Sequence, residues 1–278
     1  MRTGRPSHTA QHNALFRALE QRFPQPLFED PWARRFLRGR YRLIAMLPAA
    51  TVARVIDKRW PGPRAAVSVR TRYLDDAIIR ALSDGLDQVV ILGAGFDSRA
   101  YRLPGIERAR VFEVDHPSTQ AMKRAVVGLQ AAHVTFVAMD FATDALGDAL
   151  RASGFRSDLR TLFVWEGVTN YLDEASVDST LRFVAHSGTA LLFTYIDRAI
   201  LDGSARFEGA AESIDYVRKL GEPFTYGLEP RQLETHLRER GLELVEDLPL
   251  SAVADRYYQA DRPVVSGFYH VVAARCRG

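Results

Sequence analysis

Two kinds of hydrophobic pattern divide the chain. Up to about residue 85, apolar positions recur at helical spacing. Phe28-Glu29-Asp30-Pro31 opens a helix, with Asp30 as N-cap, Pro31 in the first turn, and Trp32, Phe36 and Leu37 on one face. The pattern predicts a second helix from Leu43 to Lys58, stopped by Pro61-Gly62-Pro63, and a third from Val67 to Leu82, with Gly85 as a cap. From residue 88 short, almost wholly apolar runs take over: 88–92, 111–114, 134–137, 161–164 and 190–193. Such runs read as strands buried on both faces of a parallel sheet. Helical stretches at Ser118–Leu129, Asp144–Ala152 and Asp173–His186 separate them, as right-handed crossovers require. The segment 197–228 interrupts this rhythm and reads as an insertion lying over the sheet. A helix at Glu229–Arg240 and two final strands, Leu242–Glu246 and Gly267–Ala274, follow, the last a candidate antiparallel strand. The expectation is an α/β fold with a seven-stranded, mostly parallel Rossmann-like sheet in one domain over 1–278. Residues 1–60 form a helical cover, 68–278 the core, and 197–228 a lid.

Composition narrows the class. The 278 residues are 47% hydrophobic and 26% charged, which excludes disordered and collagen-like chains. Cys276 stands alone, so neither an internal disulfide nor a cysteine-based metal cluster is expected. No apolar run reaches membrane-spanning length, and the first twenty residues lack a signal-peptide core; the expected location is the cytoplasm. Lys plus Arg number 37 against 34 acids, and all but Lys58, Lys123 and Lys219 of the 37 are arginine. These charges are interleaved with acids, so the pI of about 9.1 gives no nucleic-acid face.

In an open α/β sheet ligands bind beyond the carboxyl ends of the strands. The first strand ends in Gly93-Ala94-Gly95-Phe96-Asp97-Ser98-Arg99, the second in Glu113-Val114-Asp115, the third at Asp140-Phe141, and the fourth in Trp165-Glu166-Gly167. Glycines admit a ligand close to the backbone, and an acid at position 115 is placed to accept ribose hydroxyls. Ser98 replaces the third glycine of a dinucleotide fingerprint, and acids at four strand ends repel a pyrophosphate. A ribose, an adenine amino group and a cation fit better, a description that S-adenosylmethionine meets. Asp97 also reads as a helix cap, and Glu113 as a structural partner of Arg99 or Arg102.

Four longer strings are more specific: Arg70-Thr71-Arg72-Tyr73-Leu74-Asp75-Asp76, the glycine segment from Leu92 through Leu103, Phe112-Glu113-Val114-Asp115-His116-Pro117, and Glu166-Gly167-Val168-Thr169-Asn170-Tyr171-Leu172. Together they resemble the leucine carboxyl methyltransferase family, from about Ser7 to the C-terminus. That resemblance implies the fold of class I S-adenosylmethionine-dependent methyltransferases. By it, Arg70 matches the grip on the methionine carboxylate, Gly93 (with Gly95 beside it) the glycine against the cofactor, and Asp115 the ribose acid. Asp140 and Phe141 match the adenine contacts, and Glu166 an acid near the amino end. The family's Asp-Leu-Arg triplet is here Asp140-Phe141-Ala142, so its arginine is absent. Arg72, by contrast, also reads as a solvated helix charge.

The implied reaction is O-methylation, by in-line transfer, of a carboxylate or hydroxyl on a small-molecule acceptor such as an aromatic polyketide of secondary metabolism. The alternatives are a protein C-terminal carboxyl methyltransferase and a non-catalytic cofactor-binding module. A carboxylate is already ionised at neutral pH and needs no base, whereas a phenol does. His8 and His116 are candidates for that base, with Tyr195 a third candidate. His8 and His12 are four apart but fall in a stretch read as a loose tail. Tyr171, Tyr195, Phe207, Phe224, Tyr226 and 255–258 are candidates for the acceptor pocket, and Arg256 or Arg262 for binding an acidic acceptor. No metal site is expected.

Overall fold

The computed structural model describes residues 8–128, 131–141, 143–259 and 262–277. Seven strands form one sheet: β1 (Gln88–Leu92), β2 (Arg110–Asp115), β3 (Val134–Ala138), β4 (Thr161–Trp165), β5 (Ala190–Ile196), β6 (Leu242–Pro249) and β7 (Tyr269–Cys276). Their order is β3-β2-β1-β4-β5-β7-β6. The five strands from β1 to β5 are parallel, and β7 runs antiparallel between β5 and β6. The order reverses beside β1, whose two neighbours are β2 and β4, so a crevice opens at the carboxyl ends of these strands.

Thirteen helices are described. The cover holds α1 (His8–Glu20), α2 (Ala33–Phe36), α3 (Gly39–Ile44) and α4 (Ala49–Arg59), followed by α5 (Pro63–Ser83). Between strands come α6 (Arg99–Arg102), α7 (Pro117–Val127), α8 (Leu146–Ala152) and α9 (Glu174–Ser187). After β5 follow α10 (Ala199–Asp202), α11 (Ala210–Leu220), α12 (Leu233–Arg238) and α13 (Leu250–Tyr257). The single helix expected over 43–58 is broken in two, because Pro48 precedes α4 and cannot continue α3. The stretch read as a loose tail is the helix α1, anchored by buried Leu15, Phe16 and Leu19. Asp30 caps α2 through the amides of Trp32 and Ala33. The expected end of the helix after β2, Leu129, and the substituted Ala142 lie outside the described residues.

Every residue of β1 is buried, and its side chains alternate between two layers. Val90 and Leu92 join Phe112, Phe163, Leu181 and Leu237 under α8, α9 and α12. Val89 and Ile91 join Leu74, Ile78, Leu250 and Val253 under α5 and α13. A third cluster packs Leu15, Leu19 and Phe36 of the cover onto Phe96, with the two phenylalanine rings stacked 5.2 Å apart. The cover is thereby fixed on the glycine turn itself. No helix among the described residues is long and apolar enough to cross a membrane.

Candidate functional site

The turn after β1 is built for close approach. Gly93 has φ +64°, and a Cβ there would lie 2.4 Å from Cγ2 of Val168, the residue that follows the turn after β4. The amide of Gly95 donates to one Asp115 carboxylate oxygen, and the amide of His116 donates to the other at 2.6 Å. Asp115 is thus held by backbone N–H groups at the end of β2, with lone pairs left on both oxygens. Burial pushes its pKa up, and the two amides oppose that shift. Asp140 and Phe141 follow β3 on the same edge; the amide of Asp140 is tied to Asp144 at 2.9 Å.

The acids at the strand ends do not form the open negative rim expected from the sequence. Arg99 reaches Asp97 at 2.7 Å, Asp75 at 2.7 Å and Glu166 at 2.5 Å. Arg70 Nε donates to the other Glu166 oxygen at 2.6 Å. Arg102 bridges Asp75 and Ser98, Ser98 donates to Asp30, and Asp30 accepts from Arg17 of α1 at 2.8 Å. Four arginines face four carboxylates, so the network is formally neutral and ties the cover to β4. Burial alone would raise the Glu166 pKa; Arg99 and Arg70 outweigh it and hold Glu166 well below the usual carboxylate range. Asp97 also caps α6 through the Arg99 amide at 2.8 Å.

Glu113 pairs with Lys123, at 2.8 Å, where Arg99 or Arg102 was expected. Both arginines are spent on Asp75, and Lys123 of α7 enters beneath the glycine turn, its ammonium 3.4 Å from the Ala94 carbonyl. Lys123 faces inward on α7, eight residues after Asp115. Burial pushes Glu113 up to about 7 against the pull of Lys123.

Beside this crevice lies a cavity of about 740 Å³ counted to its open mouth. Arg70 and Gly167 form its floor, and α1, α5, α11 and the segment before β7 its walls. Arg70 has its Nε on Glu166 and its guanidinium over the Tyr269 ring at 5.6 Å. Its terminal nitrogens carry no hydrogen bond among the described residues. Arg72 points elsewhere, paired with Asp76 and the Leu27 carbonyl.

Of the pocket candidates, Tyr171 and Phe224 line this cavity. Tyr195 does not: it is buried in the sheet, donating to Asp247 at 2.9 Å and stacked on His270. Tyr226 is in the core on the α12 side, and Phe207 packs on Phe268. Arg256 pairs with Glu246, and Arg262 with Asp255, away from the cavity lining. His116 caps α7 by accepting the Ser118 amide, and His8 sits at the start of α1 without lining the cavity. The cavity histidine is His12, accompanied by Trp60, Tyr216 and Tyr269. His8 and His12 fell in the stretch read as a loose tail; it is α1, and nothing in the sequence showed that α11 would close over it. No group of metal-ligating side chains occurs among the described residues.

Comparison with known proteins follows the same lines. Residues 10–185 match the leucine carboxyl methyltransferase family. A Frankia alni protein, provisionally named an S-adenosyl-L-methionine-dependent methyltransferase, is 34% identical over 211 residues, covering 73% of this chain and 72% of its own. A Streptomyces coelicolor protein with the same provisional name is 34% identical over 202 residues, covering 70% of each. The fold is shared with the crystal structure of a provisionally named methyltransferase from Thermobifida fusca (TM-score 0.63, 15% identity, 100% and 97% coverage). It is shared too with a DUF574 family protein from Streptomyces avermitilis (TM-score 0.60, 13% identity, 97% of each chain).

Proposed function

This chain belongs to the leucine carboxyl methyltransferase family and is an S-adenosylmethionine-dependent methyltransferase with a class I Rossmann-like fold, and we propose that it O-methylates a small-molecule acceptor held in the cavity beside Arg70. The crevice suits the cofactor by its donor set. Asp115 offers two anchored carboxylate oxygens to the ribose diol, and Asp140 and Phe141 border the adenine position. Gly93 and Gly95 keep the backbone bare. The uncommitted nitrogens of Arg70 match a carboxylate in bidentate fashion, and Glu166, held ionised, faces the α-ammonium. When bound, the cofactor supplies an electrophilic methyl group on a sulfonium.

The protein's part is mainly alignment, which contributes about 7–11 kcal/mol in favourable cases. One observation carries the reading: the cavity shares Arg70 and Gly167 with the cofactor crevice, so acceptor and donor meet at one point. The mixed aromatic lining supports a flat apolar acceptor, of the aromatic-polyketide kind found in secondary metabolism. Calorimetric titration with S-adenosylmethionine tests the cofactor site: Arg70→Ala and Asp115→Ala should each weaken binding by at least about tenfold, 1.4 kcal/mol. Unchanged affinity in both sinks the assignment. Transfer of labelled methyl to an acceptor separates an enzyme from a module that only binds the cofactor.

A further inference from the structure

The acceptor cavity is nearly free of charge. Among the described residues its lining holds no carboxylate, and its basic groups are Arg70 and His12. An acceptor carboxylate lodged there gives up its water with no cation of its own to meet it, because Arg70 is taken by Glu166 and by the cofactor. A neutral hydroxyl does not incur that loss.

His12 supplies what a hydroxyl needs. Its Nδ1 lies 2.9 Å from the His8 carbonyl, which can only accept, so Nδ1 carries the hydrogen. Nε2 therefore holds the in-plane lone pair, and the Tyr216 hydroxyl, 2.6 Å from Nε2 and 3.1 Å from Nδ1, lies over the face of the imidazole. The Tyr216 oxygen keeps lone pairs of its own, and both residues line the cavity. The imidazole is fixed edge-on against the Tyr41, Tyr216 and Trp60 rings, at 4.8, 5.0 and 5.8 Å between centroids.

Resting on the assignment of Arg70 to the cofactor, we propose that the acceptor is a flat, neutral hydroxyl compound whose proton leaves to Nε2 of His12. The acceptor O–H bond breaks as its oxygen bonds to the methyl carbon, and the electron pair of the broken C–S bond stays on sulfur. The proton passes to Nε2 of His12, which ends as imidazolium while sulfur ends neutral. Burial, aided by Arg40 and His8 and opposed by the His8 carbonyl and Glu222, lowers the His12 pKa to about 4. The Tyr41 and Tyr216 side chains complete its surroundings, and burial keeps the imidazole uncharged at neutral pH. A weak base is adequate here, because a hydroxyl oxygen acquiring a methyl group becomes a far stronger acid than the free hydroxyl.

The test uses the full chain, labelled S-adenosylmethionine and a matched pair of probes, 2-naphthol and 2-naphthoic acid. Label is expected in the naphthol at least about tenfold faster than in the naphthoate. His12→Gln should lower kcat for the naphthol by about 10²-fold or more, with cofactor affinity within about threefold of wild type. Label in the naphthoate alone, or in neither probe, overturns the proposal. So does full activity in His12→Gln. Histidine-labelled NMR of the wild type gives a readout independent of the variant: His12 is expected as the Nδ1–H tautomer, neutral through about pH 5, and titration near the ordinary pH 6.5 overturns the proposal. Failure of the folded wild type to bind S-adenosylmethionine overturns the function proposed above instead.

Discussion

Arg70 Nε and Glu166 Oε1 stand 2.6 Å apart, so the arginine assigned to the cofactor carboxylate is aimed by a glutamate that Arg99 holds from the other side. Glu166→Gln keeps the shape and removes the charge from between two buried guanidinium groups. Breaking a buried pair this way costs about 3–5 kcal/mol. At roughly 2–4 °C per kcal/mol for a chain near this size, melting should fall by roughly 6–20 °C, with S-adenosylmethionine binding weakened as Arg70 loses its aim. The pH dependence has a definite sign. A carboxylate whose folded pKa is depressed stabilises the fold fully above its unfolded value, and that contribution fades as pH falls. The variant should therefore lose less stability than wild type on acidification below about pH 4.5, measured by urea melts.

Gly93 is required by conformation and by space together. An alanine there meets positive φ, worth roughly 1–2 kcal/mol, and a Cβ driven onto Val168 Cγ2. Gly93→Ala should fold with a lowered melting temperature and poor cofactor binding. Adding Val168→Ala removes the collision but leaves the φ penalty, so the double variant should recover part of the melting temperature. A double variant no better than the single one refutes the contact as the cause.

The five parallel strands were legible because each is a short apolar run that stops at or shortly before a glycine or an acid, and burial on both faces leaves no other reading of Val89 to Leu92 or Leu162 to Trp165. The proposed cofactor edge was read from the same positions: Gly93, Asp115 and Glu166 stand where their strands stop. The balance of charge was not. Asp97 and Glu166 read as an open acidic rim, yet Arg99, two residues after Asp97, pairs with both, and its pairing with Glu166 across 67 residues leaves no local pattern. The acceptor cavity was the least legible part. His12 and Tyr216 are 204 residues apart, and only the packing of α11 over α1 joins them. Tyr195, by contrast, stands on a strand ending near the crevice, but strand alternation turns it into the core against Asp247.

His12 should leave its mark on stability as well as on chemistry. Its folded pKa of about 4 lies below the ordinary value of 6.5, so the folded state resists a proton that the unfolded chain accepts. Its contribution is complete above about pH 6.5 and is lost as pH falls towards 4, by up to about 3 kcal/mol, from a gap of about 2.5 pKa units. His12→Phe keeps a ring among Tyr41, Trp60 and Tyr216 and abolishes this dependence. Urea melts at pH 7 and pH 4.5 should show a smaller difference for the variant than for wild type. Equal differences in both proteins would place the acid sensitivity elsewhere.

The insertion also fastens the first helix of the cover. Glu222, just past the end of α11, accepts the backbone amides of His8 at 3.1 Å and Thr9 at 3.2 Å, together with the Thr9 hydroxyl. These amides are among the first of α1, which have no acceptor within their own helix, and a carboxylate there also meets the positive end of the helix dipole. Glu222→Gln weakens both effects, and loss of such a cap costs about 1 kcal/mol. Local opening of α1 should then become about fivefold more frequent, since 1 kcal/mol at room temperature is a factor of about five. Hydrogen exchange followed by mass spectrometry should show this rise in peptides covering 8–13 and 210–222, with β1 and β4 unchanged. Faster exchange across the whole chain would mean that Glu222 supports global stability, and no change at either segment would mean that the cap does not hold α1 against the insertion.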